Sequence, residues 1–420
     1  MTPSLPFAGA PRALVAVLLG GSMHASVILA QRPAPGVSTV AGSSAAEGRA
    51  LWVSRFDFDS PQKITHIVER AAQAHFNVIY FQVRGAADAL YRSSIEPCAV
   101  VLCGHLGGTP TWDPLDVAVR EAHARGIELH AWLNAFSGWG AGTASTCRLL
   151  AASDRGNPEH ALRVHPDWAM IDDDGKSLGC PNGEEYVWLS PAIPGVRNEL
   201  ARVAADIARR YDVDGIHLDR IRYPGTRWSF DDASIGRFGG IPAHGDERWA
   251  DFRRSLVAAA VRDVRDSARA ARPSIVISAA VWGIYRDKWS WHTSEGYSEL
   301  AQDPREWALD GLVDVVVPMT YLSITPSYCG RADWACLLDD HLQGVQTAGG
   351  RHLYIGIGAD KGAAEVLRQI ALARERGARG IALYSYTAAE AAGLFEALAS
   401  GPFSTPAPVP RMSWLVRGDR

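Results

Sequence analysis

The chain has 420 residues, 47% of them hydrophobic, and a net charge of −4. That is enough for one large domain or two ordinary ones, and without a basic excess nothing marks a nucleic-acid surface. Fourteen Trp and twelve Tyr are many for this size. Indole faces stack on the apolar faces of sugar rings, although any single Trp is more often core.

Taken in chain order, residues 1–30 read as a signal peptide. Arg12 supplies the positive charge, Ala13 to Leu19 the apolar run, and cleavage is expected after Ala30, with Ala25 as the second choice. The run is too short and broken to span a bilayer. No stable membrane insertion is expected after cleavage, and the mature protein is expected to be exported, in the periplasm or outside the cell, within the envelope. Residues 31–48 form a small-residue linker.

Strand and helix patterns then alternate. Short apolar runs predict strands over Leu51–Phe56, Asn77–Val83, Ile127–Leu133, Asp214–Asp219, Ile275–Val281, Val313–Met319, His352–Gly356 and Gly380–Tyr384. Helices are predicted between them. Ser60-Pro61 and Asp113-Pro114 supply an N-cap followed by an N1 proline, and other helices cover about 194–210, 246–271, 303–310, 333–348, 361–376 and 387–399. Eight alternations predict an α/β fold, a (β/α)8 TIM barrel over 49–400 with long βα loops. The rival, a doubly wound sheet, lacks its Gly-rich turn after the first strand. Residues 225–248 read as a long loop, and 401–420 as a Pro-rich tail, extended or mobile.

In an exported chain, six cysteines suggest disulfides. Proximity pairs Cys98 with Cys103, Cys329 with Cys336 and Cys147 with Cys180, though spacing alone leaves other pairings open. Zinc is the rival, but no Cys-x-x-Cys or nearby His cluster exists. No metal or cofactor is expected.

The most informative segment is Tyr211-Asp-Val-Asp-Gly-Ile-His-Leu-Asp219-Arg-Ile-Arg-Tyr-Pro224. A buried strand ends in Asp219, with Arg220 and Arg222 beside it. That is how a parallel barrel presents a catalytic acid, although an Asp that merely caps a helix or pairs with Arg fits too. Glycosidic cleavage usually needs two such carboxylates. Period-2 geometry sends Arg55 and Asp57, Tyr80, Gln82 and Arg84, His130, Trp132 and Asn134, His217 and Asp219, Tyr321, and Tyr384 towards the mouth. Gln82, Arg84, Asn134 and Asp219 together look like a polar floor. Each alone fits a satisfied buried hydrogen bond.

Several ordered motifs carry a resemblance. They are Phe81-Gln-Val-Arg84 with Asp88-Ala-Leu-Tyr91, Trp112-Asp-Pro-Leu115, His130-Ala-Trp-Leu-Asn134, Leu189-Ser-Pro191, the Tyr211 to Asp219 run, Arg222-Tyr-Pro224, Trp282-Gly-Ile-Tyr-Arg286 and Pro318-Met-Thr-Tyr321. From about Arg49 to Leu398 the chain resembles glycoside-hydrolase-like family 10, exported bacterial barrels that include a hydrolase of peptide-denuded peptidoglycan strands. The resemblance implies a barrel acting on a bacterial glycan. The chain departs from the family pattern near the presumed site: Arg220 stands where a second acid is common, and Ala135 where a proline usually follows Asn134.

The expected mechanism is glycoside hydrolysis with Asp219 as nucleophile or base, kept ionised by Arg84 or Arg222. Asp57, Asp88 and Glu295 are candidates for the acid, Asp88 on motif match and Glu295 on loop position. Gln82, His130, Asn134, His217 and Tyr321 are expected to hydrogen-bond sugar hydroxyls. Trp132, Trp282 and Trp289 are expected to stack on rings. Two other classes compete. A glycan-binding barrel without catalysis would bind strands and release no new ends. A metal-dependent deacetylase would need a His pair after the first strand, where the chain has Trp52-Val-Ser-Arg-Phe56. A purely structural envelope protein is disfavoured by the polar mouth.

Overall fold

The computed structural model describes residues 45–152, 156–175, 185–243 and 245–415. The expected signal peptide, most of the expected linker, and Cys180 with its expected bond to Cys147 lie outside them. Among the described residues ten strands form. They are β1 (Gly48–Val53), β2 (Val78–Arg84), β3 (Glu128–Asn134), β4 (Ser137–Gly140), β5 (Tyr186–Trp188), β6 (Gly215–Asp219), β7 (Val276–Trp282), β8 (Val315–Met319), β9 (His352–Gly358) and β10 (Gly380–Tyr384). Eight of them close a parallel barrel in the order β1-β10-β9-β8-β7-β6-β3-β2. Helices lie between them, so the expected (β/α)8 barrel is the observed one.

Local chemistry sets the boundaries. β1 stops at Val53 rather than Phe56 because the Asp57 carboxylate accepts the Ser54 amide at 2.5 Å and folds the chain into a turn. The Ser60 hydroxyl caps the helix Pro61–Gln73, and the Asp113 carboxylate caps Pro114–His123 by accepting two backbone amides. The helix expected over 387–399 is two, Tyr386–Ala391 and Leu394–Ser400, separated at Gly393 with φ 61°. The disulfides Cys98–Cys103 and Cys329–Cys336 close short loops as spacing suggests. Some elements went unforeseen: β4 and β5 pair antiparallel in the excursion between β3 and the helix Pro194–Arg210, which also holds the helix Ala144–Ala152, and the span 225–248 read as a loop contains the helix Asp232–Phe238.

The C-terminal segment corrects an expectation. It is extended, but it packs under the N-terminal end of the barrel. The Pro408 carbonyl accepts the Glu47 amide and the Ala407 carbonyl accepts from Asn77 Nδ2. Met412 and Leu415 join the barrel's inner cluster with Val78, Val315 and Tyr354. The Trp414 indole donates to Asp314 at 2.8 Å. Burying those apolar side chains offsets the entropy of ordering the tail and seals one end of the barrel. The other end is left for chemistry.

Candidate active site

Asp219 is the last residue of β6. Arg220 follows in the left-handed region, φ 52°, which a non-glycine residue seldom occupies. That turn brings the Arg220 amide to 2.6 Å from Asp219 Oδ1, while Arg222 Nη1 lies 3.3 Å from the same oxygen. Burial alone would push the Asp219 pKa up. Arg222, Arg220 and the Arg220 amide outweigh it and hold the carboxyl below its ordinary value. Asp219 is therefore an anion at neutral pH.

Beneath it His217 is fully buried. The Trp52 indole can only donate, so its 3.0 Å bond makes His217 Nε2 the acceptor and leaves the proton on Nδ1, 2.9 Å from Ser278 Oγ. Tyr80 stacks on the ring with centroids 3.9 Å apart. Burial lowers the His217 pKa to about 3 against the pull of Asp219. His217 is thus a neutral support.

Aromatic rings form the mouth's wall. Tyr321 and Tyr384 stack at 5.1 Å, both edge-on to Trp52. Burial and then the Asp219 charge push the Tyr321 phenol well above its ordinary pKa. It therefore stays protonated and able to donate. Tyr384 is 41% exposed, and its phenol is raised by burial and then by Asp219, against Arg220, with smaller contributions from Asp57 and Glu185. Three carboxylates thus lie within electrostatic reach of one phenol. Arg222 sits 5.7 Å from the Trp282 ring centre.

The excursion supplies residues that sequence reasoning missed. Glu185 Oε2 pairs with Arg220 Nη2 at 2.6 Å. Tyr186 and Trp188 on β5 lie under the Arg220 guanidinium at 5.3 and 6.0 Å. A three-residue strand has no readable period, and Tyr-Val-Trp was the one available signal.

The other expected residues divide sharply. Arg84 does not reach Asp219. The β2–β3 register shifts between Gln82 and Arg84, so Gln82 faces Trp132 but Arg84 faces Leu133. A bulge of this kind turns the side chain to the other face. There Arg84 pairs with buried Glu96 through Nε and Nη2 at 2.7–3.0 Å and donates through Nη1 to the Asn134 and Ala135 carbonyls. Asn134 bonds the Trp132 indole and the Gly85 carbonyl. Asp88 accepts the Ala86 amide. Glu295 accepts the Asp287 amide and the Ser298 hydroxyl within the loop after β7. His130 lies deep in the barrel beside Gly215, where a Cβ would come within 2.5 Å of its ring. Gln82 accepts the Arg55 amide, and Asp57 bonds Thr387. Trp282 donates to the Ser294 carbonyl, and Trp289 stacks on Trp291. The structure therefore gathers Asp219, Arg222, Tyr321, Trp282 and Asp57 at the mouth. Arg84, Asn134, Asp88, His130 and His217 lie in the framework around it.

Among the described residues, one acidic group could share a cation, Asp172, Asp173 and Asp174. Arg227 already supplies a positive charge there, 2.9 Å from both Asp173 and Asp174. No described helix is long and apolar enough to cross a membrane.

Comparison with known proteins agrees with the fold. Glycosyl hydrolase YngK of Bacillus subtilis is 27% identical over 409 residues, covering 88% of this chain and 74% of that protein. Glycosyl hydrolase DigH of Escherichia coli is 28% identical over 293 residues, covering 67% of this chain and 62% of that protein. Among solved structures, the glycoside hydrolase domain of PgaB (BpsB) from Bordetella bronchiseptica shares the fold. Its TM-score is 0.60 at 14% identity, covering 84% of this chain and 98% of that one. The catalytic domain of a Paenibacillus polymyxa β-amylase does likewise, with a TM-score of 0.57 at 12% identity, covering 82% and 94%. The glycosyl hydrolase-like 10 model matches residues 47–366, most of the barrel, and the chain belongs to that family.

Proposed function

We propose that the protein hydrolyses glycosidic bonds of a bacterial cell-envelope polysaccharide, with peptide-stripped peptidoglycan strands as the first substrate to try. The observation that carries this reading is Asp219. It is an ionised carboxylate at the barrel mouth, held by Arg222 and the Arg220 amide and walled by Tyr321, Tyr384 and Trp282. An anion so placed attacks or stabilises a developing positive anomeric carbon. Tyr321, with its proton retained, donates to a sugar oxygen, and Trp282 offers a ring face.

The second carboxylate is Glu185 or Asp57 in this reading, because Glu185 pairs with Arg220 next to Asp219 and Asp57 bonds Thr387 just after β10. Asp88 and Glu295 are less favoured, since Asp88 acts on the Arg84–Glu96 pair in the wall and Glu295 bonds within the loop after β7. Glycan binding without catalysis remains the second reading, favoured by one observation: Arg220 occupies the position next to Asp219 and ties up Glu185.

The test is product analysis by mass spectrometry. The protein and its Asp219→Asn variant are incubated with peptide-stripped strands and with intact peptidoglycan. New oligosaccharides from the unaltered protein alone support the reading, and their masses separate hydrolytic from lytic cleavage. Strand binding without products in both proteins sinks it in favour of a binding protein. Glu185→Gln and Asp57→Asn then identify the acid. Loss of its proton should spare aryl glycosides with good leaving groups and abolish strand cleavage.

A further inference from the structure

Arg55 and Arg220 both lie against Tyr186, and neither is given a substrate contact by the mechanism above. Arg55 leaves the end of β1 and is fixed by its amide, which donates to Gln82 Oε1 at 2.9 Å. Its Nη2 donates to Tyr186 Oη at 3.3 Å, and its guanidinium lies 4.8 Å from the Phe56 ring centre. Its Nη1 is buried without a hydrogen-bond acceptor. Among the described residues no carboxylate forms an ion pair with this guanidinium. The space it fills is reserved for it, because a Cβ on Gly85 would stand 1.8 Å from Nη1.

Arg220 lies over the ring itself, 5.3 Å from the Tyr186 ring centre. Its guanidinium acts on Asp219 through its charge and not through a hydrogen bond. The backbone amide of Arg220 and the side chain of Arg222 make the hydrogen bonds. The ion-pair partner of its guanidinium is Glu185, whose side chain is 57% exposed against 25% for Arg220, so the carboxylate can turn to water and leave the guanidinium to another anion.

Two guanidinium groups against one tyrosine, one without an acid partner and one with an exchangeable partner, fit an anion better than a neutral hydroxyl. We infer that Arg55, Tyr186 and Arg220 form an anion subsite beside Asp219 that binds an acidic substituent of the glycan. This rests on the proposal that the mouth takes a glycan. A carboxylate or a sulfate would satisfy the same donors. When the anion engages Arg220, Glu185 is released from its ion pair into the mouth, and the sugar bearing the anion is anchored one residue from Asp219.

The experiment uses the full protein carrying Asp219→Asn, so that binding is measured without turnover. The probes are peptide-stripped strands with free carboxylates, the same strands with carboxyls reduced to alcohols, and sulfated strands of matching length. The expected result is about tenfold tighter binding of an acidic strand than of its reduced counterpart. Salt should erode the preference, and Arg55→Gln or Arg220→Gln added to the same protein should abolish most of it. Preference for sulfated over carboxylated strands would support the subsite and name its anion. Equal affinity for acidic and reduced strands would overturn the inference, and this comparison needs no second variant to fold. A preference untouched by either Arg substitution would also overturn it. Cleavage by the unaltered protein is scored separately. A clear acidic preference with no cleavage of any strand would leave the subsite standing and remove the hydrolase reading.

Discussion

Two arginine–carboxylate assemblies lie close together in this barrel and do opposite things. On the wall, Arg84 spends Nε and Nη2 on Glu96 and Nη1 on two backbone carbonyls, and both partners are at most 2% exposed. At the mouth, Arg222 touches Asp219 through one contact of 3.3 Å, and that carboxylate is 13% exposed. Both pairs are buried, and each has one member at a strand end, Arg84 on β2 and Asp219 on β6. The difference is saturation. A group whose donors are all filled by protein has nothing left for a substrate, and a group held by few contacts on one oxygen has.

Crossed substitutions break or sharpen this contrast. Asp219→Asn should lower strand cleavage by about 10⁴-fold or more with a small change in denaturation midpoint. Glu96→Gln should do the reverse. It leaves the Arg84 charge buried and underpaired, at a cost of about 3–5 kcal/mol in urea unfolding, while folded molecules keep most of their activity. If Glu96→Gln abolished activity without loss of stability, the division between wall and mouth would fail.

The sealed lower end of the barrel extends the comparison. Met412 is 3% exposed and packs in the barrel's inner cluster. Met412→Ala should cost about 2–4 kcal/mol, read as a lower urea midpoint with unchanged KM, because this end is remote from the Asp219 end of the strands.

How much of this was legible before folding follows the same divide. The eight barrel strands came from apolar runs and turn chemistry, and Asp219 from its place at the end of one of them. Those signals are local. The side-chain assignments failed where the information was not local. Arg84 was expected beside Asp219 because strict alternation puts it there, and a register shift against β3 turns it onto Leu133 and Glu96 instead. His217 does alternate inward, but Trp52 and Ser278 close both its nitrogens. Glu185 and Tyr186 come from a strand too short to show a period. The tail's apolar residues gave no pattern, because their partners lie along several strands of the barrel floor.

The smallest predicted effect tests whether the wall assembly is as closed as it looks. Glu199, on the helix Pro194–Arg210, faces the same Arg84–Glu96 pair from outside. Burial, and then the Glu96 charge, raise its pKa from 4.5 to about 7, against Arg84 and Arg202. The sign follows from linkage: a carboxyl with a raised folded pKa binds more protons folded than unfolded. Its contribution to stability is complete below pH 4.5 and is lost as pH rises towards 7. The group is partly solvated, so the loss is about 1–2 kcal/mol after screening. Glu199→Gln should flatten that part of the stability–pH curve and raise the urea midpoint at pH 8 relative to the unaltered protein. An unchanged slope between pH 5 and 7 would mean that water reaches the wall, and that saturation is not what separates it from the mouth.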